Sequence, residues 1–434
     1  MRFTYRNFPN LIKVRHIVNE QRRWVLPFFT IWTGQQLSIV GTMAAQFALV
    51  WWLTATTGSA TVLATAALVA LIPQIVLGPF VGALVDRWNR RVVMIAADFF
   101  VAMVSLWLVY LFWKDSLAIW HVYVAMLARS VGSTFHWPAM AASTTLMVPE
   151  RHYTRIGGLN ETIEGLLGIV APPLGALLMA MLPLHQVMMV DVVTAAFAVT
   201  PLLFVPIPQP AAKDMKQMKA ESFFTSTKEG LRYVMRWPGF KALLGVALVV
   251  KIALTPAFSL FPLLIKDQFK GGPIMLSQFE AILGGGLLLG GLLLSTWGGF
   301  RRKIHTVLVG IIGVGVTCAV LGITPASALW MGMVAVFVLG FKLSLANAPV
   351  SAILQSSVPP EMQGRVFGLL GSLFALTTPI GLAIAGPVSD MLGVRFWFVT
   401  AGVACILAGV ASLFIPALMQ IEEQQTGASG STKA

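Results

Sequence analysis

The sequence predicts an all-α membrane protein of twelve transmembrane helices, arranged as two related six-helix bundles. Three observations carry this. First, 57% of the 434 residues are hydrophobic and only 11% are charged, with a mean hydropathy of +0.81; a water-soluble surface needs about 25% charge. Second, the apolar residues fall into runs of about the 20 residues that span a bilayer core. Third, short sequence patterns recur in the same order in the two halves.

The runs, in order, begin at 25–53, behind Arg22 and Arg23. A second at 61–84 ends at Arg87, Arg90 and Arg91, and a third at 92–113 ends at Lys114. The fourth, 119–146, is long and precedes Arg151 and Arg155. The fifth and sixth occupy 159–182 and 187–206. Residues 207–240, opened by Pro206, Pro208 and Pro210 and rich in Lys, read as a linker, with a helical stretch expected from Ser222 to Met235. The seventh run, 241–264, ends at Lys266 and Lys270. The eighth, 279–298, meets Arg301, Arg302 and Lys303; the ninth is 304–323 and the tenth 329–350. Arg365 precedes the eleventh at 366–388, and Arg395 opens the twelfth at 395–416. The organisation is therefore 1–206 with a basic, surface-lying N-terminal segment, a linker at 207–240, a second bundle at 241–416, and a tail at 417–434. Gly and Pro within these runs are tolerated because neighbouring helices satisfy freed backbone groups.

The net charge of +13 and pI of about 10.1 do not indicate a nucleic-acid partner. The cations gather in the even-numbered gaps between runs and at the termini, against only Lys114, Lys266, Lys270 and Arg395 on the other side. This asymmetry predicts both termini in the cytoplasm. Cys318 and Cys405 each lie inside an apolar run, which fits packing rather than a disulfide or metal site.

The internal repeat places Val148-Pro149, Arg155 and Gly158 in register with Val358-Pro359, Arg365 and Gly368. Pro173-Leu174-Gly175 recurs as Pro379-Ile380-Gly381, and Arg90-Arg91 as Arg301-Arg302. Parallel repeats are one transporter design, with the site at their interface. There is no GxxxxGK[ST], HExxH or GxSxG pattern, so neither an ATP-driven pump nor a hydrolase is indicated, and no metal or cofactor beyond an ion gradient is expected.

Gly82-x-x-x-Asp86-Arg87-x-x-Arg90-Arg91 is the densest local signal. Gly78 and Gly82 share a helix face and allow another helix to approach. Asp86 stands where it can cap a neighbouring helix N-terminus, and the arginines can pair with it or with lipid phosphate. The same segment also reads as a plain basic loop. This pattern resembles motif A of the major facilitator superfamily. Arg129-x-x-Gly132 resembles its motif B, and Ala171-Pro172-Pro173-Leu174-Gly175 its antiporter motif C, with Ala171 where that family has Gly. The stretches WWLTATTGSA (51–60), GPFVGALVDRWNRRVVMIAAD (78–98), RSVGSTFHWPA (129–139) and GRVFGLLGSLFALTTPIGL (364–382) resemble the macrolide-efflux branch.

The resemblance implies the twelve-helix facilitator fold, alternating access, and proton-driven export of amphiphilic compounds from a cell inner membrane by a monomer. Siderophore export and lysophospholipid flipping use the same fold and stand as alternatives; a membrane-embedded enzyme or receptor fits the repeat and motif A poorly. By the resemblance, helices 1, 4, 7 and 10 line the cavity and helices 2, 5, 8 and 11 flank it.

Charges inside the membrane are functional candidates because of their cost. Arg129, Lys251 and Lys342 fall on expected cavity helices. Glu161 and Glu164 share a face of the fifth helix, either as proton carriers, with Lys251 or Arg129 favouring their ionised form, or as partners of Arg151 and Arg155. His136 is a packing residue or a proton carrier. Asp98 is expected to pair with the loop cations, and Asp191 and Glu280 to lie at outer helix ends as cap or rim residues. Trp32, Phe47, Trp51, Trp52, Phe258 and Phe261 are candidate contacts for an amphiphile.

Overall fold

The computed structural model describes residues 24–209, 232, 234–235, 237–358 and 360–422. The basic N-terminal segment, most of the linker with its expected helix, and the end of the tail lie outside these residues.

Among the described residues there are twelve long helices: α1 (Val25–Thr57), α2 (Ala60–Arg87), α3 (Arg90–Trp113), α4 (Ile119–Met147), α5 (Tyr153–Met181) and α6 (Leu184–Phe204). The second six are α7 (Pro238–Ser259), α8 (Pro273–Trp297), α9 (Lys303–Ile323), α10 (Leu329–Ser357), α11 (Pro360–Leu392) and α12 (Val394–Leu413). Eleven of them are long and apolar enough to cross a membrane. The exception is α4, whose interior carries Arg129, Ser130, Ser133, Thr134 and His136.

Several expected boundaries move, and the reasons are local. Helix α5 starts at Tyr153 rather than 159, because the short turn Glu150–His152 leads straight into it. Helix α8 starts at Pro273, with Gly272 as its extended N-cap, so the polar Ser277 and Gln278 lie inside it. Helix α7 stops at Ser259, and the short helix Phe261–Asp267 follows it; Pro256 and Pro262 flank the break. A proline removes a helix hydrogen bond and crowds the preceding turn.

Contacts within the first half join α1 to α6, α2 to α4, and α3 to both α4 and α6; within the second half they join α8 to α10 and α9 to both α10 and α12. The two halves meet along two seams, α2 against α11 and α5 against α8. The repeat is visible in the backbone: Val148 and Val358 are both extended C-caps, φ −96° and −102°, and both are buried.

Glycines set the helix spacing of the second half. A Cβ at Gly310 would come within 2.5 Å of the Ala346 amide, and one at Gly402 within 2.6 Å of the Gly315 carbonyl. Cβ atoms at Gly286 and Gly340 would collide with the carbonyls of Phe337 and Leu283. Small residues at membrane interfaces permit this backbone contact. Cys318 and Cys405 are free thiols buried in this block, on α9 and α12.

The end of the bundle carrying Arg87, Arg90, Arg91, Arg155, Arg301 and Arg302 is here termed the basic end, and its opposite the far end.

Candidate functional site between the halves

A cavity of about 420 Å³ lies between the two halves. Its walls come from α1 (Thr42, Met43, Gln46, Phe47), α4 (Met126, Arg129), α5 (Pro172) and α8 (Glu280), among others. A larger groove of about 590 Å³, between Trp88 at the end of α2, Phe100 of α3 and Phe135 of α4, is lined by the first half alone.

The cavity is shut at the far end by contacts from the second half onto the α1–α2 turn. Helix α1 ends with Gly58 in the left-handed region, φ 61°, and α2 begins at Ala60 behind Ser59. The ammonium of Lys266 donates to the carbonyls of Thr54 at 2.7 Å and Ala55 at 3.1 Å, at the C-terminus of α1. The carboxylate of Asp390 accepts the N–H of Ala60 at 2.6 Å, the N–H of Thr61 at 3.0 Å and the hydroxyl of Ser59 at 2.9 Å. A cation thus sits on carbonyls and an anion on free amides, the pairing that helix ends favour. One turn away, a Cβ on Gly386 would come within 3.0 Å of Thr61 Cα, so α11 and α2 touch there at backbone range.

Toward the basic end the same two helices separate. A gap of about 470 Å³ lies between Gln74, Gly78 and Pro79 of α2 and Gly371 and Ala375 of α11. Among the described residues, Cβ atoms on Gly78 or Gly82 would meet nothing within 4 Å. The close helix approach expected at this glycine pair is absent in this conformation, and the reason is the separation of the halves at this end. On the second seam, Ile169 of α5 fills the space over Gly284 of α8, while Gly157, Gly158 and Gly165 nearer the basic end face open space.

The side chain of Asp86 lies outside the described residues. Arg87 is exposed and Arg90 is buried. Arg91 was expected to pair with Asp86 or lipid phosphate; instead its guanidinium donates to the carbonyls of Leu202 and Leu203 at the end of α6. Those carbonyls lack helical partners, which makes them the stronger local acceptor. Arg395 does the same at the far end, donating to Gly322 at 2.8 Å and Ile323 at 3.2 Å.

Inside the first half, Arg129 is 5% exposed and pairs at 2.5 Å with Asp191, which is 1% exposed. Asp191 also accepts from Thr42 at 2.8 Å and Ser105 at 2.6 Å. Asp191 is therefore no outer cap. Helix α6 begins earlier than expected and brings this residue two turns inside, facing α1, α3 and α4. A buried ion pair with its remaining acceptors satisfied is the form in which such charge is tolerated. Gly132, three residues on, gives α4 close contact with Val101 of α3.

Asp98 departs from its expected pairing with the loop cations. It accepts from Gln35 at 3.0 Å and faces Nε2 of His136 at 3.4 Å. Gln35, Asp98 and His136 border a smaller cavity of about 100 Å³, which also touches Thr42 and Arg129. His136 thus has a partner 38 positions away that its own helix does not reveal.

The remaining candidates do not converge. Glu161 and Glu164 are exposed on α5 toward the basic end. Neither Arg129 nor Lys251 serves them: Arg129 is held by Asp191, and Lys251 lies 6.0 Å over the ring of Phe374. The stem of Lys342 packs against Gly313 of α9, on a different side of α10 from the residues that meet α8. Pro172 borders the cavity, and Gly175 lets Phe47 approach, with a Cβ there only 3.1 Å from the ring. Among the aromatic candidates, Phe47 borders the cavity, Trp32 donates to Asn160 at 2.8 Å, and Trp51 and Phe261 are buried in the core.

Sequence reasoning passed over Asp390 and Lys266 and placed Glu280 at a rim. A signal existed for one of them. Gly82-x-x-x-Asp86 at the end of α2 recurs as Gly386-x-x-x-Asp390 at the end of α11.

The family model described as Major Facilitator Superfamily matches residues 31–369 and 281–433. Macrolide efflux protein A of Streptococcus pyogenes is 32% identical over 405 residues, covering 93% of this chain and 100% of the relative. Multidrug efflux pump Tap of Mycolicibacterium fortuitum is 28% identical, covering 84% and 90%. Among solved structures, a bacterial homologue of the iron transporter ferroportin in an inward-facing state aligns with a TM-score of 0.66 at 15% identity, over 89% of this chain and 98% of that one. A POT family transporter in complex with a thioalcohol-conjugated peptide aligns with a TM-score of 0.67 at 12% identity, over 92% and 96%. At these identities the structural likeness concerns the fold.

Proposed function

The chain belongs to the major facilitator superfamily, and from that premise we propose that it is a drug-efflux transporter that exports amphiphilic compounds of the macrolide kind by alternating access, exchanging them for protons. The observation that carries the reading is the asymmetric closure of the central cavity. Asp390, Lys266 and Gly386 seal its far end, while α2 and α11 stand apart near Gly78 and Gly371. The relationship to macrolide efflux protein A over nearly the whole length of both chains supports the substrate class.

The Lys and Arg excess at the basic end supports placing that end, both termini and the linker in the cytoplasm, with the chain in a cell inner membrane. The conformation described is then inward-open. In the outward-open state, Gly82 and Asp86 perform at the cytoplasmic end what Gly386 and Asp390 perform at the far end here. Close approach of α11 over Gly78 and Gly82 brings the Asp86 carboxylate to the α11 N-terminus, with Arg87, Arg90 and Arg91 fixing the loop. Pseudo-symmetric helices presenting the same motif at opposite faces are what nested inverted repeats produce.

Proton exchange needs a group whose charge changes as access alternates, since a ligand shifts a conformational equilibrium only by its differential affinity. The Asp98–His136 pair fits this, because it borders a small cavity that also touches Arg129. Glu161 and Glu164 stand on the cytoplasmic approach, where they meet solvent and incoming substrate. The reading requires one chain, no cofactor and no covalent chemistry.

The test is macrolide flux into proteoliposomes of the purified protein under an imposed pH gradient. Uphill accumulation that collapses when the gradient is dissipated is expected. Uptake indifferent to the gradient overturns the exchange mechanism, and no macrolide movement in either direction overturns the assignment.

A further inference from the structure

One ionisable group on the cavity wall has no part in the account so far. Glu280 lies in the third turn of α8 and borders the central cavity opposite Phe47 and Pro172. Its helix neighbours Leu276 and Phe279 are buried in the core, at 1% and 0% exposure. Among the described residues, no hydrogen bond or ion pair reaches its carboxylate. Asp191, by contrast, has three side-chain donors. An enclosed carboxylate without donors is costly, and within a membrane such a cost marks a functional group.

The surrounding charges do not answer it. Arg129 borders the same cavity from α4, but its guanidinium is engaged by Asp191 and Ser105. On α10, which packs against α8, Lys342 turns to Gly313. On α5, the other neighbour of α8, Glu164 and Glu161 lie 8 and 11 residues before Pro172, about 12 and 16 Å toward the basic end at 1.5 Å per residue. Glu280 is therefore the one acidic side chain on a wall that mixes apolar residues with the neutral polar Thr42, Gln46, Gln74, Ser130 and Ser133 and the already paired Arg129.

We propose that Glu280 is the charge-selecting residue of the cavity and receives the cationic group of a hydrophobic monocation. Met43, Phe47, Val50 and Met126 take its apolar body. The ligand's cation supplies the partner the carboxylate lacks, and the Phe47 ring and the methionine sulfurs are surfaces that polarise toward it. This deepens the efflux reading and rests on it, naming amines and onium ions over neutral or anionic amphiphiles of the same size.

The test compares tetraphenylphosphonium with tetraphenylborate, matched in size and opposite in charge, binding to the purified full-length protein in detergent. Wild-type protein is expected to prefer the cation by about tenfold, the scale of one charge-assisted contact. Glu280→Gln removes that preference and Glu280→Asp keeps it. A wild-type protein indifferent to charge, or a Glu280→Gln protein that keeps the preference, overturns the proposal. Should Glu280→Gln fail to fold, the wild type alone decides. Labelling of Glu280 by a hydrophobic carbodiimide, read by peptide mass, is slowed by tetraphenylphosphonium and not by tetraphenylborate; equal labelling with either ion overturns it. Macrolide flux in the same preparation reads the efflux assignment separately. Flux without charge preference removes the role of Glu280 alone, and charge preference without flux removes the efflux assignment alone.

Discussion

The carboxylate of Asp390, at the end of α11, accepts the backbone N–H of Ala60, at the start of α2, at 2.6 Å across the seam between the halves. The two residues are 330 positions apart, yet one caps the other's helix. Losing a helix cap costs about 1 kcal/mol, or about fivefold in a two-state balance. Asp390→Ala should therefore raise the population open at the far end by about that factor. The check is the labelling rate of Ala64→Cys, which faces Gly386 in the closed seam; an unchanged rate removes the latch.

Leucine substitutions at the two equivalent glycines should act in opposite directions. Gly82→Leu meets open space here, so the described conformation is retained while closure at the basic end is blocked and export is lost. Gly386→Leu drives a side chain into Thr61 and opens the far seam. Spin-label distances across each seam distinguish the two, and a shift in the same direction for both contradicts the pseudo-symmetric gate.

Breaking the pair between Arg129 and Asp191 leaves a buried charge uncompensated, which costs about 3–5 kcal/mol. Arg129→Met alone should lower the melting temperature sharply. Adding Asp191→Leu should recover most of the loss, because both charges are then gone and an apolar pair fills the space. Thermal melting in detergent reads this directly. A double variant less stable than either single one contradicts it.

His136→Gln, with Asp98 left in place, should uncouple rather than unfold. Downhill exchange of drug persists, and uphill export under a pH gradient is lost. Uphill export at the wild-type rate would exclude the Asp98–His136 pair from coupling. The same assay on Glu161→Gln with Glu164→Gln should leave uphill export in place, since both residues are exposed toward the basic end.

Helix number, order and halves were legible because lipid imposes a length and a composition on every span, and the runs record both. Interior pairings were harder to see. Asp191 looked like a cap only because the polar His185 and Gln186 hid the first turn of α6, which begins at Leu184. Arg129 offered no hint of which intramembrane acid it faced, since that choice depends on helix rotation and packing rather than spacing. His136 seemed alone for the same reason. The motif around Asp86 was legible, but its counterpart at Asp390 keeps only one of the following arginines, Arg395 at the spacing of Arg91, because a loop at the far end carries less positive charge.

The glycine contacts of the second half bear on how this machine can be driven. Helices held backbone to backbone at Gly310, Gly315 and Gly402 have no side-chain layer in which to slide. That block can turn but cannot shear, so its motion relative to the first half reduces to one rotation with few degrees of freedom. A single interprobe distance spanning the α2–α11 seam then suffices as the reaction coordinate of the whole stroke.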